Sequence, residues 1–370
     1  MQVFNDNNLV SLSNSLLKHY KADTFHPTLK EIDEVLKGHK KIVLCLFDGM
    51  GRNIVRKHLK KDSFIRQHYF TTINSVFPPT TVAATNALLS GRYPIETGWL
   101  AWSQYFFEYQ RNIVLFRNKD YNTNEIVKDN KDNIAQEYYH YESILELIKK
   151  ASPNTEVLDM KKYPISPLGV KTLNQGKRRL NKYLRHSDDI FIYFYMDVPD
   201  YLMHEYGIDH HKVHKAMQKI DKFMKKVATK NQDTLFIVIA DHGHINVTHM
   251  DICDHDDLYQ CLRLPMSFEK RTATFFVKED KKEEFKTLFN KYYGQYFELL
   301  TKEEALRIKL YGEGEHHPHI LASIGDYLAI SKSEYAIYAG KEMTNMTIHK
   351  GHHAGGTEDE RLIDLSIYNK

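Results

Sequence analysis

The chain has 370 residues, 42% of them hydrophobic and 27% charged, the balance of a soluble globular protein with room for one large α/β domain and an insertion, or for two domains. A net charge of +3 is too small to argue for nucleic acid, no apolar run approaches the roughly 20 residues of a membrane span, and the three cysteines form neither a framework nor a CxxC pair. With no leader-like stretch in MQVFNDNNLVSLSNSLLKHY a cytoplasmic protein is expected, and the 21 histidines are a reason to look for metal.

In chain order, the first strong element is KKIVLCLFDGMG (40–51), a continuous apolar run ending in Asp-Gly. It predicts a buried parallel strand with a loop at its carboxyl end. A helix-like stretch follows at 52–60. Next comes VFPPTTVAATNALLSGRYP (76–94), with two prolines and two threonines ahead of a small-residue helix at 83–90. Those hydroxyls admit two readings: a cap for orphan N–H groups, or a nucleophile held where a helix N-terminus can bind an anion. Residues 96–140 are rich in Tyr, Trp, Asn and Lys and poor in periodicity, and read as a long excursion near the site. Helical pattern returns at 141–150. DIFIYFYMDVPD (189–200) repeats the buried-strand pattern, a long helical stretch spans 205–228, and DTLFIVIADHGH (233–244) is a third buried strand. Residues 255–345 hold a strand (272–278), an amphipathic helix (280–292) and a charged turn, GEGEHHPH (312–319). They read as a small α/β insertion, a lid in form. After KGHHAGG the chain closes on a last strand, LIDLSIY (362–368).

The alternation predicts a three-layer α/β/α fold with a mostly parallel central sheet, built from 1–254 and 346–370, with 255–345 inserted. In such sheets ligands bind beyond the carboxyl ends of the strands. Polar residues fall there: Asp48 after the first strand, Asp200 and His204 after the second, Asp241 and His242 after the third, and the pair His352 and His353 in a glycine-flanked loop. Each has an ordinary alternative as a turn residue, cap or surface imidazole. Their convergence on one sheet edge favours a site. Mixed carboxylate and imidazole ligands suit Zn²⁺ or Mn²⁺, and six ligands are too many for one tetrahedral ion and about right for two. Paired ions form a clamp for in-line phosphoryl transfer, which gives the threonines a task as nucleophile. The His-rich runs at 210–214 and 316–319 read as surface.

The set CLFDGMG, FPPTTVAATNALLSGRYPIETGW, VPDYLMHEYG, IADHG and GHHAGG, in this order, resembles the alkaline phosphatase superfamily, and within it the type I phosphodiesterase/nucleotide pyrophosphatase branch. In that family the nucleophile lies four residues after the Phe of a Phe-Pro pair and ten before the Gly of a Thr/Ser-Gly pair; both counts land on Thr81. The resemblance implies an alkaline-phosphatase-like fold and a two-metal phosphohydrolase, a phosphodiesterase or pyrophosphatase working through a phosphothreonine. A phosphomonoesterase or a phosphotransferase/mutase with the same site is the alternative, and a non-catalytic zinc-binding protein a further one. It implies one divalent ion, Zn²⁺ or else Mn²⁺, held by Asp48, Thr81, Asp241 and His242. A second is held by Asp200, His204 and a C-terminal His, with His353 favoured over His352. The expected partner is a small phosphorylated substrate, a nucleotide among the candidates, with no membrane or specific nucleic acid.

Two departures touch specificity. The Asn found three residues after the nucleophile is Ala84 here, and Asn86 faces elsewhere on the helix; the acidic residue before the Pro-Asp pair is Val198. Sulfatases of the superfamily mature a Cys or Ser that Thr81 cannot replace. For substrate contact, the aromatics after the nucleophile helix, Trp102 and Tyr105 foremost, are candidates to stack on a flat leaving group, and Arg92 is a candidate to meet further phosphate.

Overall fold

A computed structural model describes residues 6–127, 133–161, 166–340 and 348–369. The first residues of the N-terminal stretch and residues 341–345 of the predicted insertion lie outside these. The continuous apolar runs become strands at the heart of a six-stranded sheet. Its order is Tyr69–Asn74, Leu362–Tyr368, Leu235–Ile239, Lys41–Phe47, Ile190–Met196, Glu156–Met160. The last four run parallel, and Leu362–Tyr368 runs antiparallel to both its neighbours. Lys41–Phe47 and Leu235–Ile239 are buried along almost their whole length, which is why they read as unbroken apolar runs rather than as alternation. Two groups of helices cover the sheet. Leu9–His19 packs on Lys30–Leu36, Thr81–Ser90 and Ile144–Ala151, while His211–Ala228 packs on Leu173–His186 and Arg52–His58.

Register places the site. Phe47 lies opposite Met196 and Leu46 opposite Ile239, so the three parallel strands stop together and the residues that follow them share one edge. The helical stretch expected over 205–228 is two helices, Asp200–Tyr206 and His211–Ala228, because Gly207 at φ 83° stops the first. That break leaves Asp200 and His204 together on one short helix at the end of their strand.

A second, seven-stranded sheet has the order Phe297–Thr301, Tyr327–Ser331, Thr272–Val277, Leu262–Phe268, Ser103–Phe106, Arg111–Val114, Lys119–Asp120. Three of these strands come from the 96–140 excursion and join the strands of 255–345 where Phe268 pairs with Ser103. A core of its own, with Phe275, Phe285, Phe289 and Tyr293, backs this sheet. Among the described residues no helix is long and apolar enough to cross a membrane.

Candidate active site

Both threonines of the Pro-Pro-Thr-Thr turn are placed by the helix Thr81–Ser90, and they do different things. Thr80 has the extended backbone of an N-cap, φ −134° and ψ 149°, yet its side chain makes no cap hydrogen bond. Its Oγ1 donates instead to Glu269 Oε1 at 2.8 Å. Thr81, the first helical residue, points its Oγ1 at the sheet edge, 3.3 Å from Asp48 Oδ1 and 3.1 Å from His242 Nε2. Neither hydroxyl caps the helix.

Asp48 follows its strand directly, its N–H bonded to Met196 O at 2.9 Å, and Tyr195 donates its hydroxyl to Asp48 Oδ2. Gly49 lets Asp200 approach: at φ 70° a Cβ there would lie 2.8 Å from Met203 Cε and 3.0 Å from Asp200 Cβ. Asp241 Oδ1 accepts the N–H groups of Gly49 and His242, each at 3.0 Å, and its Oδ2 is buried without a partner 3.5 Å from His242 Nε2. His242 Nδ1 lies 2.9 Å from Gly243 O, which puts the ring proton there and turns the Nε2 lone pair to the cluster.

Asp200 forms the second half. His204 Nε2 lies 3.4 Å from Asp200 Oδ2, and its Nδ1 is held by Gly351 O at 3.0 Å. His353 Nε2 lies 3.9 Å from Asp200 Oδ1, and its ring stacks on His242 with centroids 3.9 Å apart. His352 spends its Nδ1 on the backbone N–H of His353 at 3.0 Å. One residue absent from the sequence reading also enters. His244 is fully buried with Nε2 3.4 Å from Asp200 Oδ1. Three groups of ligand atoms close enough to share an ion result: Asp48, Asp241 and His242; Asp200, His242 and His353; Asp200, His204 and His244.

Burial and the charge of Asp241 and Asp200 push the Asp48 carboxyl well above the usual range, and burial with the charge of Asp241 does the same to Asp200. Burial holds His204 down to about 3, and drives His244 and His353 well below the ordinary imidazole value. Among the described residues the ion-pair partners of the three aspartates are histidines alone. Asp200 Oδ1, Asp241 Oδ2, His244 Nε2 and His353 Nδ1 are buried without a hydrogen-bond partner. Such a cluster fits divalent cations: carboxylates that need positive charge, and imidazoles in the form that binds metal.

The comparisons with known proteins agree with this chemistry. The family model for type I phosphodiesterase/nucleotide pyrophosphatase matches residues 42–356. The chain belongs to that family. It is therefore a hydrolase of phosphoric esters in the alkaline phosphatase superfamily, with the dependence on divalent metal that the family implies. No curated protein sequence matches it. Among solved structures it is similar to murine ectonucleotide pyrophosphatase/phosphodiesterase 5, with TM-score 0.64, 15% identity and 89% of this chain and 88% of that one covered. The human protein of the same name gives TM-score 0.65 at 15% identity, over 89% and 88%. An inactive Thr-to-Ala variant of the murine protein in complex with AMP gives 0.63 at 15% identity, over 90% and 88%.

The candidate substrate contacts fall in different places. Arg92 lies past the far end of the Thr81 helix, roughly 15 Å from Thr81 at 1.5 Å per residue, and its guanidinium sits 3.7 Å over the Phe25 ring. The structure does not bring it to the cluster. Tyr105 is 5% exposed, its ring against Phe107 and Phe276, which leaves little face for a ligand. Trp102 is half-buried, and its backbone N–H donates to Glu269 Oε1 at 2.7 Å, so one carboxylate ties it to Thr80. Asn86 spends its amide on Val82 O and on the Tyr141 hydroxyl. Two residues besides His244 were missed, Tyr195 and Glu269. The signal for His244 lay in the sequence: Asp-His-Gly-His follows the strand Leu235–Ile239 and sets a second imidazole two residues after the first.

Proposed function

We propose that this chain is a two-metal phosphodiesterase or nucleotide pyrophosphatase that works through a covalent phosphothreonine on Thr81. The observation that carries the reading is the place of the Thr81 hydroxyl, at the first turn of a buried helix and within 3.3 Å of both Asp48 and His242. Asp48, Thr81, Asp241 and His242 hold one ion, and Asp200, His204 and His353 the other. When bound, these ions supply Lewis acidity that makes the hydroxyl and a water nucleophilic near neutral pH and offsets charge on the phosphoryl group.

The protein's own part is positional. Thr81, its hydroxyl proton lost to water, forms the bond to phosphorus as the bond to the leaving oxygen breaks. N–H groups of the uncapped first helical turn meet a phosphoryl oxygen. The leaving oxygen takes a proton from water. A second water then attacks phosphorus, releases the phosphate monoester and restores the Thr81 hydroxyl. Of the three substrate-contact candidates Trp102 is the one left to stack on the leaving group, and a nucleotide is the proposed substrate class. The three cysteines, too few for a framework and with no CxxC pair, support a reducing compartment, the cytoplasm.

The test compares a nitrophenyl bis-ester and monoester of phosphate on metal-loaded protein, with Thr81→Ala beside the wild type. The expected outcome is preference for the diester and a loss of at least about 10³-fold in the variant, at unchanged metal content. Preference for the monoester assigns a phosphomonoesterase instead. Full activity in Thr81→Ala removes the nucleophile.

A further inference from the structure

We infer that His244 is an additional protein ligand of the second metal ion, so that this ion is held by Asp200 and three imidazoles. The inference rests on the two-metal reading above. Its first support is an unsatisfied pair of atoms. His244 is 0% exposed, and its Nε2 and the facing Asp200 Oδ1, 3.4 Å away, are both buried without a hydrogen-bond partner. A buried polar atom left unpaired costs about 1–3 kcal/mol, and here two such atoms share one space. An ion satisfies both at once. A hydrogen bond between them would need the ring proton on Nε2, whereas the contact of Nδ1 with Ile245 O at 3.4 Å favours the proton on Nδ1 and a lone pair on Nε2.

The second support is the backbone that aims the ring. Gly351 lies against it: a Cβ at that position would be 2.9 Å from His244 Cε1 and 2.7 Å from Met203 O. The carbonyl of the same glycine orients His204 at 3.0 Å. Pairing of Gly351 with Asn246 and of His352 with Ile245 fixes this loop beside the chain that carries His244. One glycine therefore sets two imidazoles edge to face, centroids 4.6 Å apart, with the Nε2 of each on Asp200. His353 joins the same carboxylate from the His242 side. An Asp-His₃ set favours Zn²⁺ over oxygen-preferring Mn²⁺ and Mg²⁺.

The test loads wild-type protein with ¹¹³Cd²⁺ and records ¹H–¹¹³Cd correlation spectra. Two cadmium resonances coupled to four histidine rings in total are expected. Two resonances coupled to three rings overturn the assignment of His244 while leaving the two-metal reading intact. A single resonance, or none, takes down the two-metal reading itself and this inference with it. His244→Met, close in volume, is expected to weaken the second ion by roughly 100-fold in a chelator competition, on the scale of losses at metal-site partners, and to leave the first ion in place. Unchanged affinity in a folded His244→Met protein also overturns the assignment. The spectra on the wild type decide the matter if the variant does not fold.

Discussion

At the residue scale the two neighbouring threonines separate structure from chemistry. Thr81 faces the cluster of carboxylates and imidazoles, whereas Thr80 turns to a carboxylate buried beneath it. Burial pushes that carboxyl, Glu269, up to about 7. An acid whose folded pKa is raised weakens the fold as pH climbs, because the unfolded chain releases its proton first. The loss begins near the ordinary carboxylate value and is complete above about pH 7, and at 1.36 kcal/mol per unit it amounts to about 3 kcal/mol. Glu269→Gln keeps an acceptor for Thr80 and Trp102 and removes the titration. Its stability relative to wild type is expected to rise between about pH 4.5 and pH 7 and then level off, as read by urea denaturation of metal-loaded protein. A difference that does not move with pH contradicts the shifted carboxyl. The sequence showed Asp48, Asp200 and Asp241 because each ends a buried strand or opens the helix after one. It did not show Glu269, whose partners Thr80 and Trp102 are far away in the chain and are met only across the two sheets.

At the element scale the loop that carries His353 is held by a buried ion pair. Arg271 and Glu360 are both 0% exposed, with Nε 2.6 Å from Oε1. Glu360 also accepts the Gly355 N–H at 2.7 Å and the Thr357 hydroxyl at 2.6 Å, so it ties down both ends of the turn after His353. Thr272 donates to Ala354 O, and Ala354 sits at φ 79°, a region a residue with a Cβ enters only when its surroundings compel it. Arg271→Met leaves the Glu360 charge buried and uncompensated, and a loss of about 3–5 kcal/mol is expected. A fall in the affinity of the second ion should accompany it, since His353 depends on the same loop. Stability within 1 kcal/mol of wild type, by the scale of ordinary surface substitutions, contradicts that role. The helices at 52–60, 83–90 and 141–150 were legible from periodicity, whereas Leu9–His19 and Leu173–His186 were not read. Nor was the ion pair, because 89 positions separate its members and nothing local marks either.

At the scale of the whole molecule, one sheet carries the carboxylate–imidazole cluster at its edge and the other is assembled from two distant stretches. The middle of the central sheet could be read because buried parallel strands are continuous apolar runs and their carboxyl ends collect polar residues; its edge strands Tyr69–Asn74 and Glu156–Met160, only partly buried, carry no such run and were not read. Of the second sheet only Thr272–Val277 was read as a strand. Ser103–Phe106 and Arg111–Val114 are buried on both faces, so the alternation that betrays a strand is missing, and their neighbour Leu262–Phe268 lies far along the chain. The joined sheet puts Glu269 under Thr80 and ties the Trp102 backbone to the same carboxylate, which links the excursion and the insertion to the start of the Thr81 helix. The central claim is that Thr81 carries the phosphoryl group. Metal-loaded wild-type protein mixed with a nitrophenyl phosphodiester, quenched in acid within the first turnover and digested, tests it by mass spectrometry of the peptide spanning 76–94. A phosphate on Thr81, absent from the Thr81→Ala protein, is the result expected; full turnover with that peptide unmodified at every quench time, or phosphate on Thr80 instead, would contradict it.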